Sequence, residues 1–105
     1  MNDLTKRYQE MNDEREQKIE KCIETINTIQ MPFVKSHARL RLNEQGTLTG
    51  IEVHTTGFDE TVSTIVPLTR FNDNINAIAL GDNIFVQCAQ NIFVLVLRKR
   101  KNLSK

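Results

Sequence analysis

Residues 75–101 read INAIALGDNIFVQCAQNIFVLVLRKRK, and the way this stretch is divided decides the fold. Its apolar residues come in runs of strand length, "INAIAL", "IFVQC" and "IFVLVLRK", separated by "GDN" and "AQN". Gly-Asp is a hairpin-turn dipeptide, and Asn91 suits the left-handed position of a three-residue turn. With Cys88 and Ile92 flanking that turn, Val86 would meet Val94 and Ile84 would meet Val96. In the last run Ile92, Val94 and Val96 alternate with Phe93, Leu95 and Leu97, so a strand here is apolar on both sides. Such a strand needs cover on both faces, because an exposed one would aggregate. One face would take a helix. The other would be closed by the sheet curling on itself or by a second subunit.

The helix lies upstream. Residues 2–30 hold no Gly or Pro and are rich in Glu, Lys, Arg and Gln, which are good helix formers. Asn2 or Asp3 can cap the start, and Pro32 stops the helix by biasing Met31 toward extended backbone. Apolar residues recur in steps of three and four at Leu4, Tyr8, Met11, Ile19, Cys22, Ile23, Ile26 and Ile29, with one gap filled by Arg15 and Lys18. The dense part, Ile19 to Ile29, should pack on a core. The sparse part, Leu4 to Met11, should project. A helix of about 28 residues is ~42 Å long, against a radius of gyration near 13 Å for a compact domain of about 100 residues. The overhang makes Leu4, Tyr8 and Met11 candidates for an oligomer interface, together with Phe93, Leu95 and Leu97.

Between these segments the pattern has a period of two. HARLRLNEQGTLTGIEVH, residues 37–54, is a hairpin whose loop is Asn43-Glu44-Gln45-Gly46, with Gly46 free to take positive φ. Pairing Leu42 with Thr47 and Ala38 with Ile51 puts Ala38, Leu40, Leu42, Ile51 and Val53 on a dry face. His37 opposite Glu52, with Arg39, Arg41 and His54, then fall on a wet face. "TGFDET" is a loop, "TVSTIVPL" a third strand ended by Pro67, and "TRFNDN" another loop. The expected fold is therefore α+β. It is a single domain over 1–105 with one long N-terminal helix (1–30, partly projecting). An antiparallel β-meander of five to six strands follows over 33–100, as a curled sheet or half-barrel, with a basic tail at 101–105.

The 105-residue chain has a formal net charge of +1, but the charge is unevenly placed: residues 98–105 hold five bases and no acid. No run reaches the roughly 18 apolar residues of a membrane span, the longest being Ile92 to Leu97, and the charged N-terminus is unlike a signal peptide. Cys22 and Cys88 lack CxxC spacing and read as reduced, buried thiols.

Catalytic constellations are missing from the pattern. The only histidines, His37 and His54, lie diagonally on the wet face and could hold a metal only with a third ligand, for which Glu52 is the obvious neighbour; a solvated His–Glu pair is the simpler account. Both cysteines fall on apolar stripes and point away from the histidines. Asp59, Glu60, Asp73 and Asp82 sit in loops or turns with no shared pocket. Four glycines form no phosphate-binding motif.

The cations Arg98, Lys99, Arg100 and Lys101, joined by Arg39 and Arg41 if the hairpin lies beside the last strand, could bind nucleic acid. However, the pI of about 7.8 is low for such a module and no Trp offers a stacking platform. A gatekeeper run that keeps an apolar strand soluble accounts for them as well. The functional expectation is a non-enzymatic, homo-oligomeric interaction module in the cytoplasm. It takes no cofactor and no membrane, and binds a protein or small anionic ligand on a composite surface, with Arg39, Arg41 and the C-terminal cations as anion candidates. Proteins of this composition are often phage or mobile-element accessory factors or inhibitors of host systems, an association rather than a derivation. Nucleic-acid binding through the basic cluster is the alternative.

Overall fold

A computed structural model describes the backbone of residues 3–72 and 74–103 and the side chains of 14–72 and 74–101. Helix α1 (Asp3–Thr28) leads into strands β1 (Val34–Leu42), β2 (Leu48–Gly57) and β3 (Glu60–Pro67). A 3-10 turn (Leu68–Arg70) then precedes helix α2 (Ala77–Leu103). The strands form one antiparallel sheet in the order β1-β2-β3.

The chain is thus α+β with an N-terminal helix and an antiparallel sheet, but the five- to six-stranded meander is wrong. The sheet has three strands, and the stretch expected to supply the others is a single helix of 27 residues. Leu80, Ile84, Phe85, Cys88, Ala89 and Ile92 are buried, with Val96 packed against them, in steps of one, three and four along a helical stripe. The alternation within Ile92–Leu97 is local and gives way to this longer period. Nor does "GDN" turn the chain. Gly81 is buried where α2 crosses α1, and a Cβ there would stand 2.9 Å from Thr25 Cβ and 3.1 Å from the Cys22 carbonyl oxygen. The turn-forming glycine of the sequence is a close-approach glycine of the structure. The helix starts at Asn76, whose Oδ1 accepts from the Ala79 N–H at 3.0 Å as an N-cap, and Arg100 and Lys101 in its last turn suit the helix dipole.

Both helices cover one face of the sheet. Ile19, Cys22 and Ile26 of α1 meet Ala38, Ile51, Val53 and Val66 of the sheet and Leu80, Ile84 and Cys88 of α2. Phe71, 1% exposed, plugs this core from the loop before α2. A second cluster joins Val34 to Phe85, Ala89 and Ile92. Each such Val, Ile or Phe contributes about 1.5–3 kcal/mol on burial. The helices run in the same direction. The molecule measures 70 × 28 × 18 Å, with a radius of gyration of 17.1 Å, well above that of a compact domain. The side chains of Leu4, Tyr8 and Met11 lie outside the described residues.

The first hairpin has the expected loop: Gly46 has φ +79°, and Asn43 Oδ1 accepts from the Gln45 and Thr47 N–H groups, each at 2.9 Å. Its register differs from the expected one by two residues. Ala38 faces Val53, Leu40 faces Ile51 and His37 faces His54, with a bulge between Arg41 and Leu42. A shift of two preserves the faces even though the partners change, but only Ala38, Ile51 and Val53 of the expected dry set are buried; Leu40 and Leu42, toward the hairpin loop, are exposed.

Gly81→Ala tests the helix crossing. Overpacking costs about 1–3 kcal/mol, partly offset by the roughly 1 kcal/mol that Ala gains over Gly in a helix. Urea unfolding should show a net loss, and adding Thr25→Gly should recover part of it; strictly additive losses would place the contact elsewhere.

Candidate functional site

The face of the sheet turned away from the helices is open. Its centre is Glu52 on β2. Glu52 Oε2 accepts from Arg39 Nε at 3.2 Å and Nη2 at 3.1 Å, and lies 3.1 Å from His54 Nε2. Arg41 Nε stands 3.8 Å from Oε1. The hydrogen bond with His54, then that from Arg39, holds the Glu52 carboxyl below the usual glutamate range. Arg39 and Arg41 are therefore brought together as expected, but around an acid. The His–Glu pair also forms, along β2 rather than across from β1.

His54 Nδ1 in turn lies 3.0 Å from Ser63 Oγ on β3. The Ser63–His54–Glu52 relay was missed because the expected register paired β1 with β2 but assigned no partner residues between β2 and β3, where His54 faces Ser63. A hydroxyl, an imidazole and a carboxylate in series resemble a nucleophile, a base and its orienting acid. Two features argue against that chemistry. Glu52 is already held by two arginines, and the main clefts among the described residues are lined by other side chains. An active site needs concavity and donors aimed at a developing oxyanion, and the open sheet offers neither around Ser63.

The cysteines stand apart from this face. Cys22 is fully buried, and burial pushes its thiol up to about 11, against the opposing pull of the Arg70 charge. At neutral pH it is a protonated, inert core side chain. Cys88 is also buried and donates to Thr64 Oγ1 at 3.5 Å. Among the described residues no three His, Cys, Asp or Glu side chains gather as a metal site. Asp59, Glu60 and Asp82 do not converge, and Asp73 lies outside the described residues.

The C-terminal cations occupy the far end of α2, where Lys99 pairs with Glu60 at the start of β3. Arg41 faces Gly50, which faces Pro67 at the other end of β3. Seven strand residues separate the two levels, about 23 Å, so the sheet arginines do not extend the C-terminal cluster. Of the apolar candidates, Phe93 and Leu97 share an exposed helix face, while Leu95 lies half-buried on another side.

That exposed face leads to an aromatic cluster. Phe93 lies 5.8 Å from Phe58, and Phe58 lies 5.7 Å from Phe33, between ring centroids. Phe33, in the turn before β1, is 78% exposed with φ +70°. Phe58 and Asp59, the two turn residues between β2 and β3, have φ +52° and +64°. Met31 lines open clefts of about 900 and 530 Å³, and Phe33 lines the smaller of the two.

No protein-family model, curated protein or solved structure matches the chain.

The Glu52 cluster sets a pH dependence. A carboxyl whose folded pKa is depressed contributes stability above its unfolded pKa and loses it as pH falls through the folded value. An NMR titration should place the Glu52 midpoint below that of an unperturbed glutamate, and His54→Gln should move it back upward.

Proposed function

We propose that this chain is a non-enzymatic interaction module that pairs with a second copy along β3 and presents a composite, cation-bearing sheet face. The observation that carries the reading is the difference between the two edges of the sheet. On β1 the edge is occupied: the Ala38 N–H donates to Asn27 Oδ1 at 2.6 Å, and Asn27 Nδ2 donates to the Ala38 carbonyl at 3.1 Å. One asparagine of α1 thus takes the place of a neighbouring strand.

No such cap serves β3 among the described residues. The two-residue turn makes Gly57 and Glu60 a hydrogen-bonded pair, and alternation from there turns the backbone groups of Thr61, Ser63 and Ile65 outward. The same alternation turns Ala38 outward on β1, where Asn27 meets it. Natural edges are blunted by charges, prolines, bulges or cover. The outward-facing part of β3 carries Thr, Ser and an Ile that is 53% exposed, and Pro67 comes only at its end. Such an edge suits addition of a strand. Antiparallel pairing about Ser63 would bring Thr61 opposite Ile65 of the second copy, making one six-stranded sheet.

The joined open face would carry Lys35, Arg39 and Arg41 from each copy. Glu52 is the only acid at its strand positions. This surface suits an acidic protein or a small anion, and its placement is cytoplasmic in this reading.

Light scattering at the highest soluble concentration should give twice 12.1 kDa for the unaltered chain. Ser63→Pro removes an outward N–H and should give the single-chain mass. Ile65→Lys sets a charge on the edge without touching the backbone ladder and should weaken pairing with an unchanged circular dichroism spectrum. A monomeric unaltered chain, or pairing that survives both variants, overturns the reading.

A further inference from the structure

We infer that the Phe33–Phe58–Phe93 end of the molecule, with the last turns of α2, is a docking surface for an anionic lipid headgroup layer. The inference is independent of pairing along β3.

Local backbone chemistry speaks against both turn phenylalanines. A bulky residue at positive φ is an outlier, and a two-residue hairpin turn favours Asn-Gly or Asp-Gly. Phe33 (φ +70°) and Phe58 (φ +52°) break that rule side by side. Neither is rewarded by burial, being 78% and 45% exposed, and neither belongs to a buried core cluster. Strained backbone of this kind clusters where side chains must be presented. What it presents here is a row of rings completed by Phe93 of α2.

The surroundings indicate the occupant. One turn beyond Phe93 on the same helix face stands Leu97, 63% exposed, followed at the next turn by exposed Arg100 and Lys101. Residues 83–105 contain no acid. Asp59 and Glu60 are the acids beside the rings, and Glu60 is already paired with Lys99. Apolar rings flanked by cations match the layered chemistry of a membrane surface, with apolar groups entering the acyl boundary and Lys or Arg held at anionic phosphates. By length and composition α2 is apolar enough to span a bilayer, but its buried side packs on the sheet and α1, so in this fold only its outer face is available.

The test is flotation of the folded chain with two sets of vesicles, one of phosphatidylcholine alone and one containing about one-quarter phosphatidylglycerol. Binding to the anionic set that weakens with added salt is expected. Phe33→Asn with Phe58→Asn should reduce it at least about tenfold, while thermal melting stays level or rises because Asn tolerates positive φ better. Arg100→Gln and Lys101→Gln should each reduce it about fivefold. The proposal is overturned by failure to bind anionic vesicles, by equal binding to neutral ones, or by binding that survives the double Asn variant. It is also overturned if that variant dissociates an oligomer instead, which would assign the rings to a second copy.

Discussion

A three-stranded sheet with one dry face cannot bury itself, and the close crossing of α1 and α2 at Gly81 meets that constraint. Two helices must lie on the same narrow face for Ile51 and Val53 to be shielded completely, as they are. A side chain at position 81 would collide with Thr25 and with the Cys22 carbonyl. It would push α2 off α1 and open the joint beneath which Ile26 and Ile51 are fully buried. The loop carrying Phe71 and the N-cap at Asn76 serve the same end, fixing where α2 begins and so which residues reach the crossing. The close seating of α2 on α1, and with it the cover over the sheet, depends on that missing methyl group.

The parts of this arrangement legible in the sequence are those set by short-range periodicity. The stripe Ile19, Cys22, Ile26 packs as its spacing requires, and the Asn43–Gly46 loop follows from its turn residues. The wet and dry faces of the first hairpin survived a register error because the error was an even number of residues. The second helix was not legible. Residues 92–97 are β-branched, aromatic or leucine and alternate perfectly, so local propensity favours strand. What overrides it is tertiary: the small sheet needs a cover, and only a helix drawing one residue in every three or four from the whole of 80–96 supplies it. Gly81 compounded the error, since a glycine needed for helix contact and a glycine needed for a turn look alike in one sequence. The Glu52–His54–Ser63 relay needs the pairing of β2 with β3, which the loop between those strands did not reveal in the sequence.

The redistribution of charge matters for function. Read as strands, the C-terminal cations and the sheet arginines could form one basic face. As folded, Arg39 and Arg41 close around Glu52 at one level of the sheet, while Lys99 pairs with Glu60 at the other. A continuous phosphate track needs cations spaced along one surface, and this geometry divides them into two small groups, each partly neutralised. The division weighs against nucleic acid as a shared partner of both groups, and it leaves each with its own surroundings: an open polar sheet in one case, exposed rings in the other.

Interior and periphery differ in one further respect. Inside, polar groups are matched. The Ser36 and Thr55 hydroxyls meet at 2.7 Å, and among the described residues no buried side-chain nitrogen or oxygen lacks a partner. The unreconciled features all lie outside: an edge on β3 that no described side chain caps, opposite the capped edge of β1, and phenylalanines at positive φ with little burial to offset them. A chain under no constraint beyond folding would place a charge or proline on that edge and asparagine or glycine in those turns, each the lower free-energy choice for the isolated molecule. Asn27 on β1 demonstrates that this fold accommodates such protection. Its absence from β3 among the described residues and the strained turns beside α2 are departures from local optimality in a molecule otherwise consistent, and departures of that kind are where function is to be sought.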